Sequence, residues 1–258
     1  MKLVRFELVD APGTLRSGLV YEERIYETNG DKAIGVHELG KIRLFAPVGP
    51  VAGFRIFEKL PAKDTLTYRH GHPYNLHGPL AEIDMPTEVD GLDFDVHICA
   101  VLQDGGTSIE PREAPTFVLG YTLAIVFRIP AIVDADRISG GTGTLGTDVG
   151  NVLGPYLVTP DDLADWVVEG EQSALQLPYE IRVNQELIAE GTAQVAPGIE
   201  VILPEVTRFS RVFPSEVLAW PKIEKPDLEF SPLGRLLLPS DRVSVKVEGI
   251  GTLVAKVG

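Results

Sequence analysis

The apolar positions of this chain fall in short stretches that are rich in Val, Ile, Leu and Thr, and most are bounded by Gly, Pro, Asp or Asn. Such stretches are typical of β-strands joined by turns. The pattern predicts strands at residues 2–8, 17–21, 24–28, 94–102, 116–125, 179–183, 186–191, 242–247 and 251–257. We therefore expect a mainly β protein with few helices.

Two segments favour short helices. Residues 160–168 begin with Pro160 at the first helical position, Thr159 before it can cap the first turn, and Asp161 follows at the positive end of the helix dipole. Residues 204–213 are the second candidate. A Pro-rich connector near residue 50 divides the chain into a small N-terminal β lobe, residues 1–50, and a larger domain, residues 51–258.

Charge and composition limit the function. The 258 residues include 23 Lys and Arg against 37 Asp and Glu, so the formal net charge is −14 and a nucleic-acid or anionic-membrane partner is not expected. No apolar run approaches the roughly 18 residues of a membrane span. The single cysteine, Cys99, cannot form an intramolecular disulfide, and a cytoplasmic location is predicted.

Several phrases occur in an order that matches a known family. They are Ile42-Arg43-Leu44, Phe54-Arg55 with Phe57-Glu58, Gly78-Pro79, Leu92-Asp93-Phe94-Asp95, Gly120-Tyr121-Thr122-Leu123-Ala124, Leu153-Gly154-Pro155, Arg182-Val183-Asn184, Pro214-Ser215-Glu216-Val217 and Val247-Glu248-Gly249-Ile250-Gly251. Together they resemble the fumarylacetoacetate hydrolase superfamily, in particular bacterial members similar to diketo-acid hydrolases, decarboxylases and isomerases. The resemblance implies an α+β fold, a mixed β-roll around a central pocket with residues 51–258 as the catalytic-type domain, and a homodimer.

The metal site that the resemblance implies is degenerate in this chain. Active members hold a divalent cation with two Glu residues one position apart on a strand and an Asp after the Gly-Tyr-Thr phrase. The corresponding residues here are Asp95, His97 and Val126. Because Val cannot ligate a metal and the set keeps one formal negative charge, we predict that the site binds no metal and needs no cofactor.

Other polar positions of the family carry apolar residues here. Leu145 stands at the usual Lys, and Leu60 replaces the His of the Phe-Glu-x-His phrase. We expect an apolar pocket for a small-molecule substrate, with binding residues Phe57, Ile125, Val126, Phe127, Leu145 and Trp220.

Five polar residues survive as candidates for acid–base catalysis: Glu58, Asp95, His97, Tyr121 and Asp148. A His beside a carboxylate can exchange a proton near neutral pH. Each candidate also has a structural interpretation. Asp95 and His97 form a satisfied polar pair in that case, Asp148 is a turn residue, and Tyr121 is a packing residue.

The leading hypothesis is a metal-independent enzyme, repurposed in specialised metabolism, that isomerises or cyclises a bulky apolar keto-enol or polyene substrate. Such a reaction can be accelerated largely by orientation within a shaped pocket. Two alternatives stay open: a non-catalytic small-molecule-binding protein with the same fold, and a conventional magnesium-dependent C–C hydrolase or decarboxylase of 2-oxo or diketo acids.

Overall fold

A computed structural model describes residues 1–58, 67–147, 149–170 and 173–258. The strands in these residues are β1 Lys2–Leu8, β2 Ala11–Tyr21, β3 Arg24–Asn29, β4 Lys32–Glu38, β5 Ile42–Phe45, β6 Gly53–Phe57, β7 Tyr68–Gly71, β8 Leu76–His77, β9 Glu82–Ile83, β10 Asp93–Leu102, β11 Val118–Arg128, β12 Asn151–Val158, β13 Leu175–Val183, β14 Glu186–Val195, β15 Glu216–Ala219, β16 Arg242–Val247 and β17 Gly251–Val257. The α-helices are α1 Pro130–Ile138 and α2 Ile199–Phe209. The prediction of a mainly β protein is confirmed.

The larger sheet contains the strands of residues 1–58 and the long strands β10, β11 and β12. Among the described residues its strands follow the order β4-β3-β2-β1-β12-β11-β10-β15-β6-β7, with β5 paired to β1 and β8 paired to β12. The strands of residues 1–50 join the remainder of this sheet where β1 pairs antiparallel with β12. The division into two domains at residue 50 stays a prediction.

A second sheet packs over the first and closes the main core. Its described strands follow the order β14-β13-β16-β17-β9. Alternate residues of β10, such as Val96 and Ile98, meet residues of β13, β16 and β17 in one apolar cluster. Cys99 and Val101 point to the other face of β10 and pack in a separate cluster with Phe54 of β6. Because β10 is buried on both faces, any polar side chain on it needs a partner.

The helix boundaries differ from the predicted ones. Residues 160–166 form a 3-10 helix, Pro160–Trp166, and the Thr159 hydroxyl bonds to the carbonyl oxygen of Met1 at 3.2 Å instead of capping the turn. The predicted helix at 204–213 is α2, which begins earlier and carries Pro204 in its interior. The apolar face of α2, with Ile199, Ile202, Leu203 and Val206 buried, outweighs the cost of the proline.

Several elements were not predicted, among them β12 and α1. β12 contains Gly154 and Pro155, which favour a turn in isolation, yet the strand lies between β1 and β11. The register between β11 and β12 shifts next to Gly154, which lets the pair accommodate these residues. Helix α1 begins at Pro130 and buries only Val133. In the described ranges no helix combines the length and the apolar character needed to cross a membrane.

Candidate active site

A pocket of about 760 Å³ opens at the N-terminal end of β10. Its walls come from β6 and β7, the start of β10, the end of β11, helix α1, strands β13 and β14, and residues 220–224 after β15. The volume is within the usual range for small-molecule sites. Asp95 and His97 both lie on its wall.

Strand pairing sets which side chains share the pocket face of the sheet. Asp95 and His97 are two residues apart on β10 and so point to the same side. In the antiparallel register with β11, Asp95 lies opposite Val126 and His97 lies opposite Ala124. Opposite residues in such a pair point to the same face. The three positions that resemble the family's metal ligands are therefore neighbours in space.

The segment after β15 brings further charges to this face. The amide of Trp220 donates to the carbonyl oxygen of Ile98 at 2.9 Å, and that of Ile223 donates to Val96 at 2.8 Å. These bonds hold the chain alongside β10. Lys222 lies between them, and its Nζ is 3.1 Å from Asp95 Oδ1.

Carboxylates and cations alternate around the start of β10. We define the ionic cluster as Asp93, Asp95, Arg128, Lys222, Lys225 and Asp227. Arg128 Nη2 contacts Asp93 Oδ2 at 2.9 Å, and Arg128 Nε is 3.6 Å from Asp95 Oδ1. Lys225 Nζ contacts Asp93 Oδ1 at 2.9 Å, with both side chains almost fully buried.

The ionic cluster determines the charge of Asp95. Burial disfavours its ionised form, but the attraction of Arg128 and Lys222 is larger in sum and lowers the pKa of this carboxyl. Burial also disfavours the charged form of Arg128, and Asp95 and Asp93 outweigh it, so the pKa of this guanidinium is raised. Asp95 is thus a firmly ionised partner for two cations and a weak proton acceptor.

His97 is the buried base of the pocket wall. Its Nδ1 is 2.8 Å from the carbonyl oxygen of Trp220. Because a carbonyl only accepts hydrogen bonds, Nδ1 carries the proton and Nε2 carries the lone pair. Nε2 is buried and has no hydrogen-bond partner in the described part of the chain. Burial lowers the pKa of His97, against the opposing effects of Asp95 and the Trp220 carbonyl, so the ring is neutral at pH 7.

The donor set does not fit a divalent cation. Asp95 is already contacted by two cationic side chains, Arg128 and Lys222. Val126 offers no ligand, so Nε2 of His97 and the Asp95 carboxylate are the ligand atoms that remain at the three positions. Outside residues 59–66, 148 and 171–172, no group of three His, Cys, Asp or Glu side chains is arranged to hold a metal ion. Protein cations occupy the positions next to Asp95 where a metal ion would have to bind.

Comparison with known proteins agrees with this architecture. The family model described as "Fumarylacetoacetate (FAA) hydrolase C-terminal" matches residues 54–258. The chain belongs to the fumarylacetoacetate hydrolase family.

Its similar curated relatives include two oxaloacetate tautomerases of mitochondria. The chain is 26% identical over 189 residues to rat Fahd2a and 28% identical over 189 residues to human FAHD2A, which covers 70% of this chain and 55% of each relative. The chain therefore spans about half the length of these relatives.

Solved structures show the same fold over the whole chain. A fumarylacetoacetate hydrolase from Exiguobacterium antarcticum superposes with a TM-score of 0.78 at 21% identity and covers 100% of this chain and 99% of that one. A 5-carboxymethyl-2-hydroxymuconate delta-isomerase from Mycobacterium smegmatis gives a TM-score of 0.76 at 18% identity, with coverage of 100% and 99%.

Within this fumarylacetoacetate hydrolase fold, four further predicted residues are at or behind the pocket. Phe57, Glu58 and Trp220 line it. The Trp220 ring packs edge-on against Phe57, and its Nε1 donates to the carbonyl oxygen of Pro197 at 2.8 Å. Tyr121 packs behind Trp220 and is not among the lining residues. Burial raises the pKa of its phenol, so Tyr121 has the environment of a packing residue.

Four predicted substrate-binding residues are not on the pocket wall. Ile125 and Phe127 point into the core between the sheets, because they alternate with the pocket face of β11. Val126 points to the pocket side but is buried in the apolar cluster that contains Ile56. Leu145 is 65% exposed on the loop after α1. Asp148 lies outside the described residues.

Four cationic residues add charge to a pocket for which apolar binding residues were expected. Arg69, Arg128, Arg137 and Lys222 all line the cavity, and the sequence analysis assigned none of them. One signal was present in the sequence: Arg128 lies two residues after Val126 and so shares the pocket face of β11. The other three come from segments whose approach depends on the tertiary fold.

Proposed function

We propose that this protein is a metal-independent keto–enol isomerase. The observation that carries the proposal is His97, a neutral imidazole whose Nδ1 proton is held by a backbone carbonyl and whose Nε2 lone pair has no partner among the described residues. The names of its relatives, oxaloacetate tautomerase and hydroxymuconate isomerase, support an isomerase-type reaction.

The reaction follows from the properties of His97. Nε2 removes a proton from the carbon next to a substrate carbonyl, and the electron pair of that C–H bond forms the C=C bond. The carbonyl π electrons move to oxygen and give an enolate. The protonated imidazole then returns the proton to the oxygen or to a more distant carbon, so no atom or electron is gained or lost. The Trp220 carbonyl keeps the ring oriented throughout.

The size and lining of the pocket favour one kind of substrate. Its volume of about 760 Å³ accommodates a molecule larger than a small dicarboxylate, and Phe57, Ile98 and Trp220 supply an apolar wall. These features favour a second candidate, the cyclisation of a keto-enol substrate, in which the enolate carbon attacks a second carbonyl or alkene of the same molecule. Isomerisation needs only the removal and return of a proton by His97, whereas cyclisation also needs this attack by the enolate carbon. Homodimerisation and a cytoplasmic location stay predictions.

Deuterium exchange tests the proposed base. A panel of 2-oxo acids and 1,3-diketones, oxaloacetate among them, is incubated with the protein in D₂O and excess EDTA, and loss of the acidic C–H signal is followed by NMR. We expect exchange for at least one compound, reduced by about 10²–10⁴-fold in His97→Gln. His72→Gln, a change at an exposed histidine outside the pocket wall, is the matched control.

Two outcomes would contradict the proposal. The first is exchange that His97→Gln leaves unchanged, since His97 would then not be the base. The second is a panel in which no compound exchanges in EDTA, which would favour a binding protein if ligands still bind and a metal-dependent enzyme if Mg²⁺ restores exchange.

A further inference from the structure

The cationic side of the ionic cluster has unused hydrogen-bonding capacity. Arg128 Nη2 is shared by Asp93 and Asp227, but Nε of Arg128 is buried and has no hydrogen-bond partner among the described residues. Lys222 donates to Asp95 and is about half exposed, so its ammonium has donors left. A buried donor on a charged group is costly to leave unpaired. Both side chains line the pocket, so a ligand oxygen there would accept from Lys222 Nζ and lie beside the Arg128 guanidinium.

The two cations reach the pocket from different parts of the chain. Arg128 ends β11, and Lys222 follows β15. They meet at Asp95, which lies opposite Val126. Asp93 anchors Arg128 from behind, where its carboxylate is 1% exposed and also binds Lys225. Arg128 is therefore held from behind by a buried carboxylate, whereas Lys222 is anchored by Asp95 and stays about half exposed.

The balance of charge leaves room for an anion. In the ionic cluster, Asp93, Asp95 and Asp227 offset Arg128, Lys222 and Lys225. The same pocket is also lined by Arg69 and Arg137, opposed by Glu58 and Glu224. Among the described residues, the cavity lining has four cationic and three anionic side chains, because Asp93, Lys225 and Asp227 lie behind the wall and not on it. Arg128 and Lys222 on the wall therefore favour a ligand oxygen that carries negative charge.

We infer that Arg128 and Lys222 form a built-in oxyanion centre that takes the place of a divalent cation, with Asp93 as the positioning residue of Arg128. The ligand class is a planar oxyanion, such as an enolate or a carboxylate beside a carbonyl. The inference rests on the proposed function, because the oxyanion is the one that proton removal by His97 creates. Fixed donors placed where negative charge develops stabilise it without reorganisation.

Binding of oxalate, a planar dianion that resembles an enolate beside a carboxylate, tests the centre without turnover. Titration calorimetry is done in excess EDTA with the wild-type chain, Lys222→Met and Lys246→Met. Lys246 pairs with Glu248 away from the pocket and is the matched control. We expect oxalate to bind in EDTA and Lys222→Met to weaken it by about tenfold to hundredfold, as for the loss of a hydrogen bond to a charged group.

Asp95→Asn distinguishes an oxyanion centre built from Arg128 and Lys222 from a metal site, because the two predict opposite changes in oxalate affinity. It removes a competing negative charge and keeps both cations, so oxalate binds at least as tightly if the centre is built from Arg128 and Lys222. If Asp95 is instead a metal ligand, the same variant loses binding. Because Lys222 is about half exposed, Lys222→Met is expected to fold, and thermal melting checks this.

Three results would overturn the inference: oxalate binding that requires Mg²⁺, binding that survives Lys222→Met, and no binding in EDTA. Failure of the proposed function is a separate outcome. In that case oxalate binds normally to the wild-type chain and to His97→Gln, but neither protein exchanges C–H protons.

Discussion

Replacing Asp93 with Asn tests how the ionic cluster is held. Asp93 accepts four hydrogen bonds: from Lys225 at 2.9 Å, from Arg128 at 2.9 Å, and from the amides of Phe94 at 2.6 Å and Leu228 at 3.4 Å. An Asn side chain offers one oxygen and turns an NH₂ group toward donors. The variant therefore leaves the buried Lys225 ammonium without its carboxylate.

The size of the effect follows from burial. Lys225 and Asp93 are 3% and 1% exposed, and breaking such a buried pair from one side costs about 3–5 kcal/mol. Lys225 Nζ also lies 4.5 Å from the Phe94 ring centroid, a cation–π contact that is present with and without the Asp93 carboxylate and so leaves this difference unchanged. We expect the free energy of unfolding to fall by about 3–5 kcal/mol at neutral pH.

The loss depends on pH with a defined sign. Burial already lowers the pKa of Lys225, and Asp93 opposes this effect. Without Asp93 the folded-state pKa falls further below the unfolded value of about 10.4. The penalty is full below the folded pKa, where both states are protonated. It shrinks as pH rises through that pKa, because the unfolded chain then binds more protons.

Urea denaturation of the wild-type chain and Asp93→Asn, at neutral and at alkaline pH, measures this loss. Asp227→Asn is the control, because it removes a carboxylate from the same guanidinium at a site that is 56% exposed, and we expect a loss below about 1 kcal/mol. Equal losses in the two variants, or a loss for Asp93→Asn that does not change with pH, would refute the reasoning.

Three further predictions concern the pocket and the sheet. As pH increases, kcat/KM for proton exchange should rise through a pKa below 6.5. Asp95→Asn should shift this rise to lower pH, because Asp95 raises the pKa of His97. A shift to higher pH would contradict the assignment of His97 as the base. Val126→Asp buries a carboxylate and should lower the free energy of unfolding by several kcal/mol at neutral pH, and by less in acid, where the carboxyl is protonated. Thermal melts measure this loss, and an unchanged melting temperature at neutral pH would contradict the prediction. Glu216→Gln breaks the buried pair with Arg55 and should lower the unfolding free energy by about 3–5 kcal/mol in urea, while a loss under about 1 kcal/mol would show that the pair contributes little.

Local patterns in the sequence were enough for the class of fold and for part of the site. Alternation along a strand has a period of two, so the spacing of Asp95 and His97 put both on one face of β10, and the structure agrees. In β12 and α2, Pro155 and Pro204 locally favour a turn and a helix start, yet they lie inside the observed strand and helix. Burial between neighbouring elements outweighs those local preferences.

The sequence by itself determined the mainly β composition, the family and the loss of the metal-ligand set at Val126, because each depends on residue types and short spacings. Only the tertiary structure decided that Arg128 and Lys222 line the same pocket. Arg128 and Lys222 are 94 positions apart in the chain, and they meet at Asp95 because β11 pairs with one edge of β10 and β15 pairs with the other. Which face of a strand meets a distant segment depends on the packing of the whole chain, and no local pattern records it.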